Sequence, residues 1–253
     1  MIKRILTVLT ASLLASLVNA AGGEVHLDHM SPDAHDKVSL QKGLRTYMDN
    51  CAGCHSLGFA RYNRVAKDLD IPEEIFMENI VFSEEARFGD LMKFAMSEQD
   101  GKKWFGAAPP DLTNVTRVRG VDWVYTYLRS FYKDESRPYG VNNAVFKDVG
   151  MPHVLLGLQG LCADKPHASE GAEYDPLTGH EIAEEGCTSY AVEGSQSSEE
   201  FDETVYDLVN FLNYMGEPYQ NDRKRLGWFV FAFLTILLVP SVLLQRELHK
   251  DIH

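Results

Sequence analysis

Basic residues are the first shortage. The 253-residue chain has 24 Lys and Arg against 37 Asp and Glu, a formal net charge of −13. So acidic a surface repels phosphate backbones, which excludes nucleic acid as a partner. Cysteine is scarce too, with four residues in all. Cys51 and Cys54 form one Cys-x-x-Cys pair, but Cys162 and Cys187 lie far apart, so no second pair completes a tetrahedral zinc site. No run of β-branched strands surrounds Cys51, which argues against the α/β body of a thioredoxin-like redox protein. There is no internal repeat. The remaining composition, 45% hydrophobic and 24% charged, is that of a folded protein.

The charge is uneven. Residues 1–20 and 222–253 hold seven Lys/Arg and three Asp/Glu, which leaves 17 basic and 34 acidic residues between 21 and 221. A soluble partner of that middle part should be basic.

Two apolar segments set the topology. Lys3 and Arg4 open the chain, Ile5–Val18 is mostly apolar, and Val18-Asn19-Ala20 has small residues where a signal peptidase cuts. This is the three-part pattern of a secretory signal over residues 1–20, and its core is short for a membrane span. The second segment, Leu226–Leu244, has 19 residues without a charge. As helix it measures about 28 Å, close to the thickness of the hydrocarbon core. The chain is too small to surround such a run on all sides. The pattern therefore predicts an exported domain over 21–221, an anchor over 222–245 and a cytoplasmic tail over 246–253. Arg223, Lys224 and Arg225 then fall on the outer side, against the positive-inside tendency.

Within the exported part, His26, His29 and His35 lie in an irregular lead-in and read as surface residues. Leu40, Leu44, Tyr47, Met48 and Cys51 recur at helical spacing, which predicts a helix over 37–50 with Asp36 as N-cap. A helix is also expected over 83–97, another over 121–131, and loops over 132–160. Pro109-Pro110 dictates an extended strap. Phe201, Val205, Leu208 and Leu212 mark an amphipathic helix ending near Met215-Gly216. Between Asp164 and Glu203 there are 12 acids and one base, Lys165. That stretch reads equally as a docking surface and as a solvated loop. Cys162 and Cys187 bracket most of it, and in an exported segment they are expected to form a disulfide worth ~3 kcal/mol.

The chemistry centres on Cys51-Ala52-Gly53-Cys54-His55. Cys-x-x-Cys-His is the attachment signature of a c-type haem. Two thiols at this spacing reach the two vinyl groups on one porphyrin edge, and His55 follows as the first axial ligand. A methionine as second ligand gives a closed, high-potential electron carrier. Met48, Met92 and Met96 fit apolar helical faces and are explained by packing. Met151, held between Gly150 and Pro152, is better placed to cross the distal face. Spacing alone leaves that choice open.

These residues together resemble cytochrome c1, the haem subunit of bacterial ubiquinol–cytochrome c oxidoreductase (the bc1 complex). The likeness covers most of residues 36–245. Gly43 and Tyr47 stand eight and four residues before Cys51, where class I c cytochromes let their first and last helices cross. Ala108-Pro109-Pro110-Asp111-Leu112-Thr113 resembles the family's strap beside the haem, so Pro110 is a candidate contact. Arg119 matches an arginine aimed at a haem propionate. Val149-Gly150-Met151-Pro152 resembles the axial-methionine segment, and Asp222–Gly227 the basic run before the anchor, which the family carries on the outer side. Trp104-Phe105 stand where many members have an Asn pair, so no haem contact is transferred there. The disulfide-bearing insert known in the family precedes the methionine, so pairing of Cys162 with Cys187 is not implied by the resemblance.

The resemblance implies a mainly α fold, a class I-like cytochrome c domain with loop insertions plus one C-terminal transmembrane helix. It implies one covalent haem c and a place in the inner membrane with the haem domain in the periplasm. The implied partners are cytochrome b, a Rieske iron–sulfur protein and a soluble or tethered cytochrome c, in a dimeric complex. A tethered mono-haem cytochrome serving a terminal oxidase or periplasmic reductase is the alternative. An open-iron enzyme such as a peroxidase is a third class.

Overall fold

A computed structural model describes residues 27–83, 85–93, 96–166, 173–174, 181–182, 187 and 189–250. The expected signal over 1–20, His26, the acids Glu184 and Glu185, and the last three residues lie outside the described residues.

Helix α1 (Lys37–Asn50) forms as its pattern dictates. Asp36 accepts a hydrogen bond from the Ser39 N–H at 3.0 Å and caps the first turn. Leu40, Leu44, Tyr47, Met48 and Cys51 are all buried along one face. They pack on α8 (Ser198–Gly216), whose start is closed by a capping box between Ser197 and Glu200. The two helices cross at Gly43. A Cβ built there would lie 2.0 Å from the Asp207 carbonyl oxygen, so only glycine permits the approach. Tyr47 and Phe211 meet beside the crossing with ring centroids 6.0 Å apart.

Between these helices the chain builds a series of short elements. They are β1 (Leu57–Arg61), α2 (Tyr62–Asp68), α3 (Glu73–Asn79), β2 (Leu91–Met92), α4 (Glu98–Phe105), α5 (Val115–Arg119), α6 (Val121–Arg129), β3 (Phe131–Lys133), β4 (Val141–Asn143), α7 (Leu156–Gln159) and β5 (Gly160–Cys162). The pairs β6 (Glu173–Tyr174) and β7 (Glu181–Ile182) follow, then β8 (Tyr190–Glu193). Strands β4, β3, β5 and β8 form one sheet in that order, with β3 and β5 parallel and the other neighbours antiparallel.

Three expectations are corrected here. Residues 83–97 contain no helix among those described: Asp90 accepts from the Arg87 N–H at 2.8 Å to make a turn at Gly89, and Met92 then pairs with Leu57 in a ladder. Met92 is accordingly buried in a strand and not on a helix. Residues 132–160, expected as loops, supply β4, α7 and most of β3.

The lead-in is tied down, not loose. Asp28 N–H donates to Thr126 Oγ1 at 2.8 Å and Met30 N–H to Asp122 Oδ1 at 2.9 Å, and the Met30 side chain is buried. Arg129 pairs with both Asp28 and Asp202, joining lead-in, α6 and α8. A disulfide joins Cys162 at the end of β5 to Cys187, with Cα atoms 5.3 Å apart.

Helix α9 (Gln220–Leu248) is the predicted apolar run, and 27 of its residues, Asp222–Leu248, are long and apolar enough to cross a membrane. None of its hydrophobic window is buried by the rest of the chain. Trp228 and Ile236 are 77% and 72% exposed. Such a surface is untenable in water and fits a single-pass membrane anchor. The Thr235 and Ser241 hydroxyls donate to the carbonyls of Phe231 and Leu237, which leaves their polar groups satisfied in an apolar medium.

An apolar cavity at the Cys51–His55 turn

After α1 the chain turns tightly. Cys54 and His55 N–H groups both donate to the Cys51 carbonyl, at 3.0 and 2.9 Å. Tyr47, one helical turn before Cys51, donates its hydroxyl to the His55 carbonyl at 2.5 Å. The turn thus hangs on the α1–α8 crossing. Both thiols are free, Cys51 buried and Cys54 partly so. Cys51, Cys54 and His55 line a cavity of about 330 Å³.

The strap closes one side of it. Gly106, in the left-handed conformation (φ 80°), ends α4 and turns the chain into residues 107–112. Leu112 N–H donates to the Ser56 carbonyl at 2.9 Å, and Asp111 accepts from the Gly58 N–H at 2.6 Å. These bonds fix the Pro110 carbonyl 2.7 Å from His55 Nδ1. Nδ1 must carry the proton to donate there, so Nε2 keeps its lone pair. Burial pushes the imidazole pKa down, which further favours the neutral, ligating form.

The segment Val149–Pro152 brings Met151 to the same cavity. Its sulfur accepts from the Tyr127 hydroxyl at 3.4 Å. Arg119 stands at the cavity's polar edge, its guanidinium 5.0 Å from the Trp123 ring and 5.9 Å from that of Phe146. Among the described residues it makes no ion pair. Apart from Asn50, the remaining lining is mostly apolar, including Leu208 and Leu212 from α8 and Val124 and Leu128 from α6. All six candidates, Cys51, Cys54, His55, Met151, Arg119 and Pro110, therefore line one cavity. Trp123, Tyr127 and Phe146 also line it and were not singled out from sequence. Their signal was available: Arg119, Trp123, Tyr127 and Phe131 recur every fourth residue.

The site suits haem. Among the described residues no cluster of three or more His, Cys, Asp or Glu could hold a bare ion. His55 and Met151 offer two donors, one nitrogen and one sulfur, which is the set an iron needs when a porphyrin supplies the other four. Two free thiols on one rim and a greasy lining match the vinyl edge and flat faces of the ring. A cation at the edge matches its propionates.

The cytochrome c1 family model matches residues 28–252. Cytochrome c1 of Allochromatium vinosum is 48% identical over 236 residues, covering 92% of this chain and 93% of its own length. A Nitrosomonas europaea protein described as ammonia monooxygenase gamma subunit is 39% identical over 246 residues, 97% of each chain. The mitochondrial cytochrome c1 haem protein of Neurospora crassa is 28% identical over 236 residues, covering 83% of this chain and 61% of its own. The helical core, the Cys51–His55 turn and the apolar C-terminal helix thus agree with sequence similarity along nearly the whole chain, which belongs to the cytochrome c1 family, the haem c-carrying electron-transfer subunits of bc1 complexes.

Proposed function

We propose that this chain passes electrons from a Rieske iron–sulfur protein to a periplasmic cytochrome c, within a dimeric ubiquinol–cytochrome c oxidoreductase that also contains cytochrome b. The observation that carries the reading is the single cavity that gathers Cys51, Cys54, His55 and Met151 in a family member with a membrane anchor. When bound, haem c supplies a one-electron iron couple. Cys51 and Cys54 would hold the group covalently. His55, with its tautomer fixed by the Pro110 carbonyl, and Met151 would ligate its iron, and Arg119 would pair with a propionate. The apolar lining keeps water out and keeps reorganisation small.

In this reading residues 1–20 are a cleaved signal, 21–221 a periplasmic haem domain, 222–245 the anchor in the inner membrane and 246–253 a cytoplasmic tail. The chain makes and breaks no substrate bonds itself. The excess of acid in 21–221 favours a basic acceptor.

A second reading keeps the tethered carrier but not the quinol-oxidising assembly. The Nitrosomonas relative, named for a subunit of a monooxygenase, favours it. Purification of the full chain in mild detergent separates the two. The first reading expects a b-type haem and an iron–sulfur protein to accompany it in fixed proportion. Their absence, with another oxidase or reductase in their place, would support the second.

A further inference from the structure

Tyr127 holds its phenol inside the cavity, and its hydrogen-bond acceptor among the described residues is the Met151 sulfur. That is a costly arrangement for mere packing. A thioether is a weak acceptor, and burying a hydroxyl on so poor a partner costs about 1–3 kcal/mol on mutational scales. Phenylalanine would fill the same space without the penalty.

The ring is also held firmly. Trp123 stacks on it at 4.9 Å with planes 10° apart, and Phe131 meets it edge-on at 5.4 Å. The Tyr127 carbonyl accepts from Asn143 Nδ2 at 2.8 Å. The methionine segment is fixed from the same wall. His153, two residues beyond Met151, stacks on Phe131 at 4.8 Å and lies 3.1 Å by Nε2 from the Gly160 carbonyl. Sulfur and phenol are thus two ends of one braced contact.

We infer that Tyr127 is a positioning residue for Met151: its O–H occupies one sulfur lone pair and leaves the other directed into the cavity. The inference rests on Met151 being the axial ligand. A sulfur that shares density with a donor is a poorer ligand for the oxidised metal than for the reduced one. The hydrogen bond therefore raises the reduction potential, and it leaves the sulfur easier to displace from the oxidised metal.

Tyr127→Phe tests this in the full chain with haem attached. It removes one oxygen and keeps the ring, so packing with Trp123 and Phe131 survives. The midpoint potential should fall by the equivalent of about a three- to tenfold change in the reduced-to-oxidised ratio, tenfold being about 59 mV for one electron. In the oxidised form, added imidazole should displace the sulfur only at a concentration higher by about the same factor. Tyr125→Phe, on the same helix and off the cavity, should change neither. A tyrosine that only packs would alter the melting temperature and leave both readings at their wild-type values, which would overturn the inference. Met151→Ala in parallel separates the causes of failure. If it abolishes the methionine-to-iron charge-transfer band while Tyr127→Phe changes nothing, only the Tyr127 role fails. If the band survives Met151→Ala, the ligand assignment and the Tyr127 role fall together.

Discussion

Replacing Met151 with alanine is expected to leave the haem attached and to lower its midpoint potential by a large part of the roughly 0.8 V range that axial ligands span. Attachment is unaffected because Cys51 and Cys54 belong to a different segment, a turn held by Tyr47 and the strap. The potential changes because the cavity presents no replacement donor of the same kind. The aromatic wall offers rings and one phenol, and Arg119 offers only a cation. The vacated position then admits water or an added ligand, and a closed carrier becomes an open site. Optical redox titration of the purified variant reads the effect. A variant that keeps both its low-spin spectrum and its potential would show that another residue is the ligand.

Gly43→Val should destabilise the haem domain by about 3 kcal/mol or more, with a melting temperature lower by roughly 10 °C for a domain of this size. The reason is a backbone collision. Even the first added carbon would sit 2.0 Å from the Asp207 carbonyl oxygen and 2.7 Å from Phe211 Cβ. A carbonyl inside α8 cannot rotate away without losing its helical hydrogen bond. The helices must instead move apart, which opens the contacts among Leu40, Leu44, Tyr47, Leu208 and Phe211 that are buried at the crossing. Tyr47 is also the residue that holds the His55 carbonyl, so haem attachment in the cell should fall too. Gly53→Ala is the control, because a Cβ there meets nothing within 4 Å. A Gly43→Val protein within about 1 kcal/mol of wild type would mean that the crossing is not close.

What could be read in the sequence follows from periodicity and length. Helices α1 and α8 were legible because each carries a stripe of large apolar residues over three turns or more, and α9 because 19 uncharged residues have few other uses. The four-stranded sheet was not legible. Strands of three or four residues are too short for a two-residue alternation to stand out, and β4 and β5 are buried at every position, so no polar face marks them. The expected helix over 83–97 fails at Gly89, where Asp90 closes a turn before two residues pair with β1.

The site divides in a similar way. Cys51, Cys54 and His55 stand out as candidates by a motif whose spacing suits a porphyrin edge, and the fold places all three on one cavity. Pro110 was visible as a strap residue, but its carbonyl bond to His55 is a backbone contact that no side-chain pattern encodes. Met151 could be picked out only from its loop setting and from family resemblance. Tyr127 was missed because an aromatic at helical spacing ordinarily means packing. Its hydroxyl acquires meaning only when the fold brings Met151 against it from 24 residues away.

The covalent haem is the claim on which the rest depends, and the intact mass of the full chain under denaturing conditions tests it most directly. Chain purified from a host able to mature c-type cytochromes should exceed the polypeptide mass by one haem and keep its colour after acid–acetone extraction. The Cys51→Ala, Cys54→Ala double variant should have the bare mass and no retained colour. Haem that extracts from the wild-type chain, or covalent haem that persists in the double variant, would contradict the account.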